Sequence, residues 1–241
     1  MSDLRVISLI ASATEIVCAL GYRDALVGRS HECDYPPNVL ELPVCSESRV
    51  DVHATSLEID RQVKTAVAEA VSVYRVLSLE LQRLAPSHIV TQTQCEVCAV
   101  SLKDVERAVC ELVETHPTIV ALEPMCLADV WRDIINVAAA FGDPAQGEAL
   151  VESLRSRLEN VRKSVAGRTR PTVVCLEWID PLMSGGNWMP QLVEIAGGRP
   201  LLARAGEHSP WMTWEQLQAA DPDVIVLLPC GFDIARTASE L

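Results

Sequence analysis

Three groups of residues in this 241-residue chain carry side chains suited to chemistry. The first is TQTQCEVCAVS (91–101), where Cys95 and Cys98 stand at CxxC spacing and no second CxxC occurs. Such a pair suits a redox dithiol, half of a metal site, or the lining of a loop. A redox pair of the thioredoxin kind opens a helix, where the dipole lowers the thiol pKa. Here Ser101, followed by Asp104, reads as the helix cap. Cys98 therefore stands three residues too early, which disfavours redox catalysis. A zinc or iron site needs two further ligands, and His31, Cys33, Cys45 and Cys126 are available in neighbouring loops. Nothing in their spacing requires them to converge, so metal binding and loop lining both stay open.

The second group is RSHECDYP (29–36), which places His31, Glu32, Cys33 and Asp34 in succession. In an extended loop only alternate members can face one point. Either this is a polar loop ending in a Tyr-Pro-Pro turn, or His31 or Glu32 points into a ligand cleft. The third group is aromatic. Four of the five tryptophans, Trp178, Trp188, Trp211 and Trp214, lie within 37 residues of the second half, although aromatics are only 4% of the chain. Trp178 and Trp188 flank IDPLMSGGN, and Trp211 follows HSP. Loop tryptophans suit the stacking wall of a large planar or apolar ligand, against the alternative of a hydrophobic cluster.

Signatures of catalysis are otherwise absent: no GxSxG, GxxxxGK[ST], HExxH or strand-following GxGxxG occurs. The net charge of −13 is unsuited to nucleic acid or an anionic membrane surface. No run of about 18 apolar residues predicts membrane insertion. The opening MSDLRVISLIASATEI lacks the basic, apolar and small-residue order of a secretory leader. A cytoplasmic setting is therefore expected, with most of the nine scattered cysteines reduced. Cys18, Cys110 and Cys175 read as small core hydrophobes.

The elements that must position these groups follow a β-then-α rhythm. RVISLI (5–10) precedes SATEIVCAL, and SVYRVLSL (72–79) a short polar helix. HIVTQ (88–92) precedes SLKDVERAVCELVETH, and TIVALEP (118–124) precedes LADVWRDIINVAAAFG. This predicts a parallel sheet covered by helices, with ligands at the strand-to-helix turns. After Gly142-Asp143-Pro144 a long helix is expected over 144–166, with Leu150, Leu154, Leu158, Val161 and Val165 as its apolar stripe. At about 1.5 Å per residue it would span about 35 Å. PTVVCLEW (171–178), NWMPQLVEIAGG, TWEQLQAAD and a buried strand DVIVLLP (223–229) then restart the rhythm.

These segments together resemble the cobalamin-type substrate-binding proteins of ABC importers. RVISLIASATEIVCALG is similar to the family's opening strand and helix, and ALVGRSHECDYPP to its valine-glycine strand and Asp-Tyr-Pro-Pro loop. LAPSHIVTQ, LMSGGNWMPQLVEIAGG and TWEQLQAADPDVIVL resemble later strands and ligand segments, in order, over nearly the whole chain. TQTQCEVCAVS and RSHECDYP look like the cobalamin-binding branch.

The resemblance implies an α/β fold of two Rossmann-like lobes with mainly parallel sheets, joined by one long rigid helix. The expected division is a lobe over 1–126, a connecting segment over 127–167 and a truncated second lobe over 168–241. It also implies a non-enzymatic protein that holds a corrinoid between the lobes and delivers it to an importer. His31, Glu32, Gln92, Trp178, Trp188 and Trp211 are the expected ligand residues. Glu58 in SLEID and Glu215 in TWEQL are the expected docking carboxylates, one on each lobe. The alternative, from another class, is a metal- or thiol-dependent enzyme or sensor using Cys95 and Cys98 with His31.

Overall fold

The computed structural model describes residues 4–69, 72–93, 102–110 and 116–241. The chain forms two compact units. The first comprises Met1–Val52, Gln62–Glu123 and Trp131–Val151, and the second His53–Arg61, Pro124–Val130 and Glu152–Leu241.

The first unit opens with β1 (Val6–Ser8), buried throughout, then α1 (Ala11–Ala19) and β2 (Leu26–Arg29). β3 (Ser46–Ser48), α2 (Ser56–Ala68), β4 (Tyr74–Val76) and α3 (Ser78–Leu84) follow. β5 (His88–Gln92), α4 (Leu102–Cys110), β6 (Thr118–Leu122) and α5 (Leu127–Ala140) complete the alternation. β2, β1, β5 and β6 lie in that order as a parallel sheet. Central strands of such a sheet are covered on both faces, which explains the continuous apolar runs in β1 and β5. Ile7, Leu9, Ile89, Leu81, Leu84 and Val105 make its core.

SVYRVLSL departs from expectation. Only Tyr74–Val76 is a strand, and it pairs antiparallel with β3, outside the parallel sheet. Ser78 already opens α3. The reason is visible in the alternation: Arg75 is exposed while Val76 is buried, the two-faced pattern of an antiparallel ribbon.

α6 (Pro144–Val165) carries the chain from the first unit into the second. It starts on Pro144, directly after Asp143 and the positive-φ Gly142. Gly147 lets it lie close on α5, since a Cβ there would stand 2.8 Å from the Ala138 Cβ and 2.9 Å from the Ile135 Cα. The expected stripe is less buried than its periodicity implies: Val161 is exposed, and the buried positions are Gly147 and Val151.

In the second unit β7 (Thr172–Trp178) is the central strand. β8 (Met183–Ser184), α7 (Met189–Ile195), β9 (Arg199–Pro200), α8 (Trp214–Ala220), β10 (Val224–Leu227) and α9 (Ile234–Ser239) follow. β7 pairs parallel with β10 and β9 and antiparallel with β8. Val174 and Leu176 on one face of β7 pack with Leu182, Met212 and Leu217. DVIVLLP is a strand but not a buried one: Val224, Ile225 and Val226 are 42%, 47% and 39% exposed. β10 pairs only with β7 among the described residues, which leaves its other edge unpaired there, and Leu227 alone of its residues packs against the core of the unit.

The fold is thus α/β, with mainly parallel sheets in two units. No helix among the described residues is long and apolar enough to cross a membrane.

Candidate functional site

Parallel α/β sheets bind ligands beyond the carboxyl ends of their strands. In the first unit those ends are Ser8, Arg29, Gln92 and Leu122. The Arg29 guanidinium, itself buried, donates to the carbonyls of Ser30 (3.0 Å) and Cys33 (3.1 Å), which fixes the loop that carries His31 and Glu32. The backbone N–H of His31 donates to Ser46 Oγ at 3.3 Å, and its Nδ1 lies 2.9 Å from the same oxygen. The Ser46 hydroxyl thus holds both the backbone and the ring of His31 in place. Nε2 lies 3.3 Å from Glu32 Oε1, without hydrogen-bond geometry. The His31 ring also tilts against Tyr74 at 5.2 Å. His31 and Glu32 therefore do come together, as a pair set by β2 and β3. Gln92 is buried at the end of β5.

In the second unit Trp178 ends β7, Trp188 sits half-buried at the N-cap of α7, and Trp211 is 54% exposed beside Met183. Trp178 is engaged inside the unit. Its indole N–H is shared between the carbonyls of Ser56 (3.2 Å) and Asp180 (3.1 Å), and its ring contacts Phe232 at 5.3 Å. It has no N–H left for a ligand amide.

Two loops meet beyond β7. Ser209 Oγ accepts the Gly186 N–H (3.0 Å) and donates to Glu177 Oε2 (2.8 Å), while the Asn187 N–H donates to the Glu207 carbonyl (2.7 Å). Gly186 is required there, because a Cβ would lie 2.6 Å from the Ser209 nitrogen. Burial pushes the Glu177 carboxyl above the usual range, against the opposing effect of the Ser209 hydrogen bond. This carboxyl was not among the expected site residues. The signal was present: a lone charged residue within the strand run TVVCLEW.

Cys95 and Cys98 lie outside the described residues. Of the other thiols considered as metal ligands, burial pushes Cys33 up and Cys45 up to about 12, so both hold their protons. Cys126 Sγ lies 3.3 Å from Asp129 Oδ2, a carboxylate that also caps the Met125 and Cys126 N–H groups. No group of three His, Cys, Asp or Glu among the described residues is placed to hold a metal.

Glu58 and Glu215 are exposed, each in the first turn of a helix. Their expected placement on separate lobes is not met, since both fall in the second unit. The reason is local: Glu240 Oε2 accepts the N–H (3.0 Å) and Oγ–H (2.8 Å) of Ser56, and Arg236 donates to the Ala54 carbonyl. These bonds tie the start of α2 to α9. Glu58 itself accepts from the Thr55 N–H (3.0 Å) and hydroxyl (2.9 Å), closing a capping box.

Comparison with known proteins follows the same geometry. A family profile described as Periplasmic binding protein matches residues 6–240. The vitamin B12-binding protein of Photorhabdus laumondii is 24% identical over 228 residues, covering 94% of this chain and 71% of that protein. The vitamin B12-binding protein of Vibrio cholerae is 25% identical, covering 92% and 69%. Among solved structures, the periplasmic vitamin B12-binding protein BtuF of Vibrio cholerae superposes with a TM-score of 0.63 at 21% identity, over 92% of this chain and 75% of that one. A periplasmic heme-binding protein from Pseudomonas aeruginosa superposes with a TM-score of 0.71 at 18% identity, over 98% and 76%.

The expected cytoplasmic location is corrected by these matches, since the profile and both solved structures are those of periplasmic proteins. The lack of a leader-like pattern in the opening residues carries no weight against them. The alternative enzyme or sensor built on Cys95, Cys98 and His31 gains no support. With residues 6–240 inside its profile, the chain belongs to the periplasmic binding protein family, a family of non-enzymatic proteins that bind small molecules.

Proposed function

We propose that the protein binds a corrinoid of the cobalamin kind and presents it to an ABC importer. The observation that carries this is the similarity to vitamin B12-binding proteins along more than nine-tenths of the chain. Trp188 and Trp211, on loops beyond β7, suit the flat apolar face of such a ligand. In the first unit His31, Glu32 and Gln92, at or just beyond strand carboxyl ends, are polar groups of the kind an amide-fringed ligand needs, and the Trp178 N–H is already engaged. Docking to the importer through Glu58 and Glu215 belongs to the same proposal, since both carboxylates are exposed in the first turn of a helix.

Heme is the second reading, favoured by the heme-binding protein with the higher TM-score. Equilibrium titration of the purified protein with cyanocobalamin and, separately, with hemin tests both. Saturable one-to-one binding of the corrinoid with weak hemin binding is expected. Saturable hemin binding without corrinoid binding overturns the first reading in favour of the second.

A further inference from the structure

Glu177 is the half-buried carboxyl at the carboxyl end of the central strand of the second unit. Its Oε2 takes the Ser209 hydroxyl at 2.8 Å, while Oε1 has no hydrogen-bond partner among the described residues and no cation pairs with the group. Nearby, Asn187 Oδ1 is shut off from solvent and also lacks a partner. Asn187 adopts a left-handed φ of 52°, held by its N–H on the Glu207 carbonyl and its own carbonyl on the Gly206 N–H (3.0 Å). Two side-chain oxygens at this end of the unit, Glu177 Oε1 and Asn187 Oδ1, thus have no hydrogen-bond donor among the described residues. Glu177 Oε1, unlike Asn187 Oδ1, is not shut off from solvent, so a ligand donor can take the place of water there. The Ser209–Gly186 clamp keeps the carboxyl fixed at that position between the two loops that carry Trp188 and Trp211.

We propose that Glu177 is a specificity-determining residue, whose idle Oε1 accepts an N–H from the ligand and so selects a ligand fringed by primary amides over one fringed by carboxylates. A corrinoid carries acetamide and propionamide side chains with N–H donors. Heme at neutral pH presents propionates, which only accept hydrogen bonds and are repelled by a second carboxylate. The same group therefore attracts one class and rejects the other, discrimination by an attractive and a repulsive contact together.

This inference rests on the corrinoid reading above. The test is titration of the wild-type protein, Glu177→Gln and Ser209→Ala with cyanocobalamin and hemin, with melting temperature and circular dichroism recorded for each. Glu177→Gln keeps an oxygen for Ser209 but turns the ligand-facing atom toward donor character. Its corrinoid Kd is expected to rise about tenfold or more, the scale of one hydrogen bond to a charged group, while its hemin Kd stays level or falls. Ser209→Ala loosens the clamp yet leaves the carboxylate, so the ratio of the two Kd values should keep its direction. An unchanged ratio in Glu177→Gln with wild-type corrinoid binding intact overturns the role of Glu177 alone. Absence of corrinoid binding in the wild type overturns the corrinoid reading and this inference with it.

Discussion

The indole of Trp178 reaches back across the second unit to the carbonyl of Ser56, 122 residues away in sequence, with its N–H 3.2 Å from that oxygen. The same N–H serves the Asp180 carbonyl at 3.1 Å, and Phe232 covers the ring. A tryptophan so engaged is a structural tie between the end of β7 and the start of α2. Trp178→Phe keeps an aromatic face but leaves two carbonyls short of a donor. It should cost about 1–2 kcal/mol of stability, seen as a lower melting temperature, with corrinoid affinity changed by less than about threefold. A large loss of affinity at unchanged stability would assign Trp178 to the ligand instead.

The tie is strengthened from the C-terminal side by Glu240, whose carboxylate caps the first turn of α2 at Ser56. The Ser56 N–H, set against a weaker desolvation effect, holds the Glu240 carboxyl below the usual glutamate range, with help from the Ser56 hydroxyl and Arg236. A carboxyl whose folded pKa is depressed contributes stability in full above its unfolded value of about 4.3, and loses it as pH falls through the folded value. Glu240→Gln keeps an acceptor oxygen for Ser56 but loses the charge, so it should be less stable at neutral pH by about 1 kcal/mol, the margin of a charged over a neutral acceptor. The gap between variant and wild type should close below about pH 4. Thermal melts from pH 3 to 7 that remain parallel would remove Glu240 from the account of acid lability.

Glu58 also has two candidate roles, and they can be separated. Its carboxylate accepts from Thr55 within the helix cap, which a neutral amide can also do. Glu58→Ala should lower stability by about 0.5–2 kcal/mol through the lost cap. Glu58→Gln should keep most of that stability while removing the charge. If the carboxylate meets an importer, Glu58→Gln supports little corrinoid uptake in a reconstituted transport assay while binding corrinoid normally. Uptake equal to wild type would leave Glu58 as a cap alone.

Much of the fold was legible because its periodicities are strong. HIVTQ became β5 without a residue's change, and the helix expected over 144–166 is α6, ending one residue earlier. What the pattern could not show was partnership. The apolar run VIVL reads the same whether a strand is covered or bare, and in β10 Val224, Ile225 and Val226 are exposed while Leu227 packs on the core. β3, three residues long with the polar sequence SES, has no apolar signature at all, yet it supplies the Ser46 hydroxyl that orients His31. The site was legible as residue types and loops but not as engagement. Trp178 looked like a ligand residue until its N–H was seen to be occupied, and Glu177 drew no attention because its hydrogen-bond partner, Ser209, stands 32 residues away in sequence.

Trp188 is the residue on which corrinoid affinity should depend most. It stands at the N-cap of α7, where its side chain makes no capping hydrogen bond, so the usual reason for a residue at that position does not apply. Pro190, in the first turn, presets the helical backbone without help from a side-chain cap. Loss of the indole should therefore cost the helix little. The neighbouring loop is pinned independently by the Gly186 and Asn187 N–H bonds to Ser209 and Glu207, so Trp188 is presented from a fixed backbone. A stacked aromatic on a rigid support loses little entropy on binding. Trp188→Ala should weaken cyanocobalamin binding by about 1–3 kcal/mol, about a five- to 150-fold rise in Kd, with the melting temperature of the free protein nearly unchanged. Trp188→Phe should recover part of that loss. Wild-type affinity in Trp188→Ala would place the ligand's apolar face elsewhere, with Trp211 the next substitution to make.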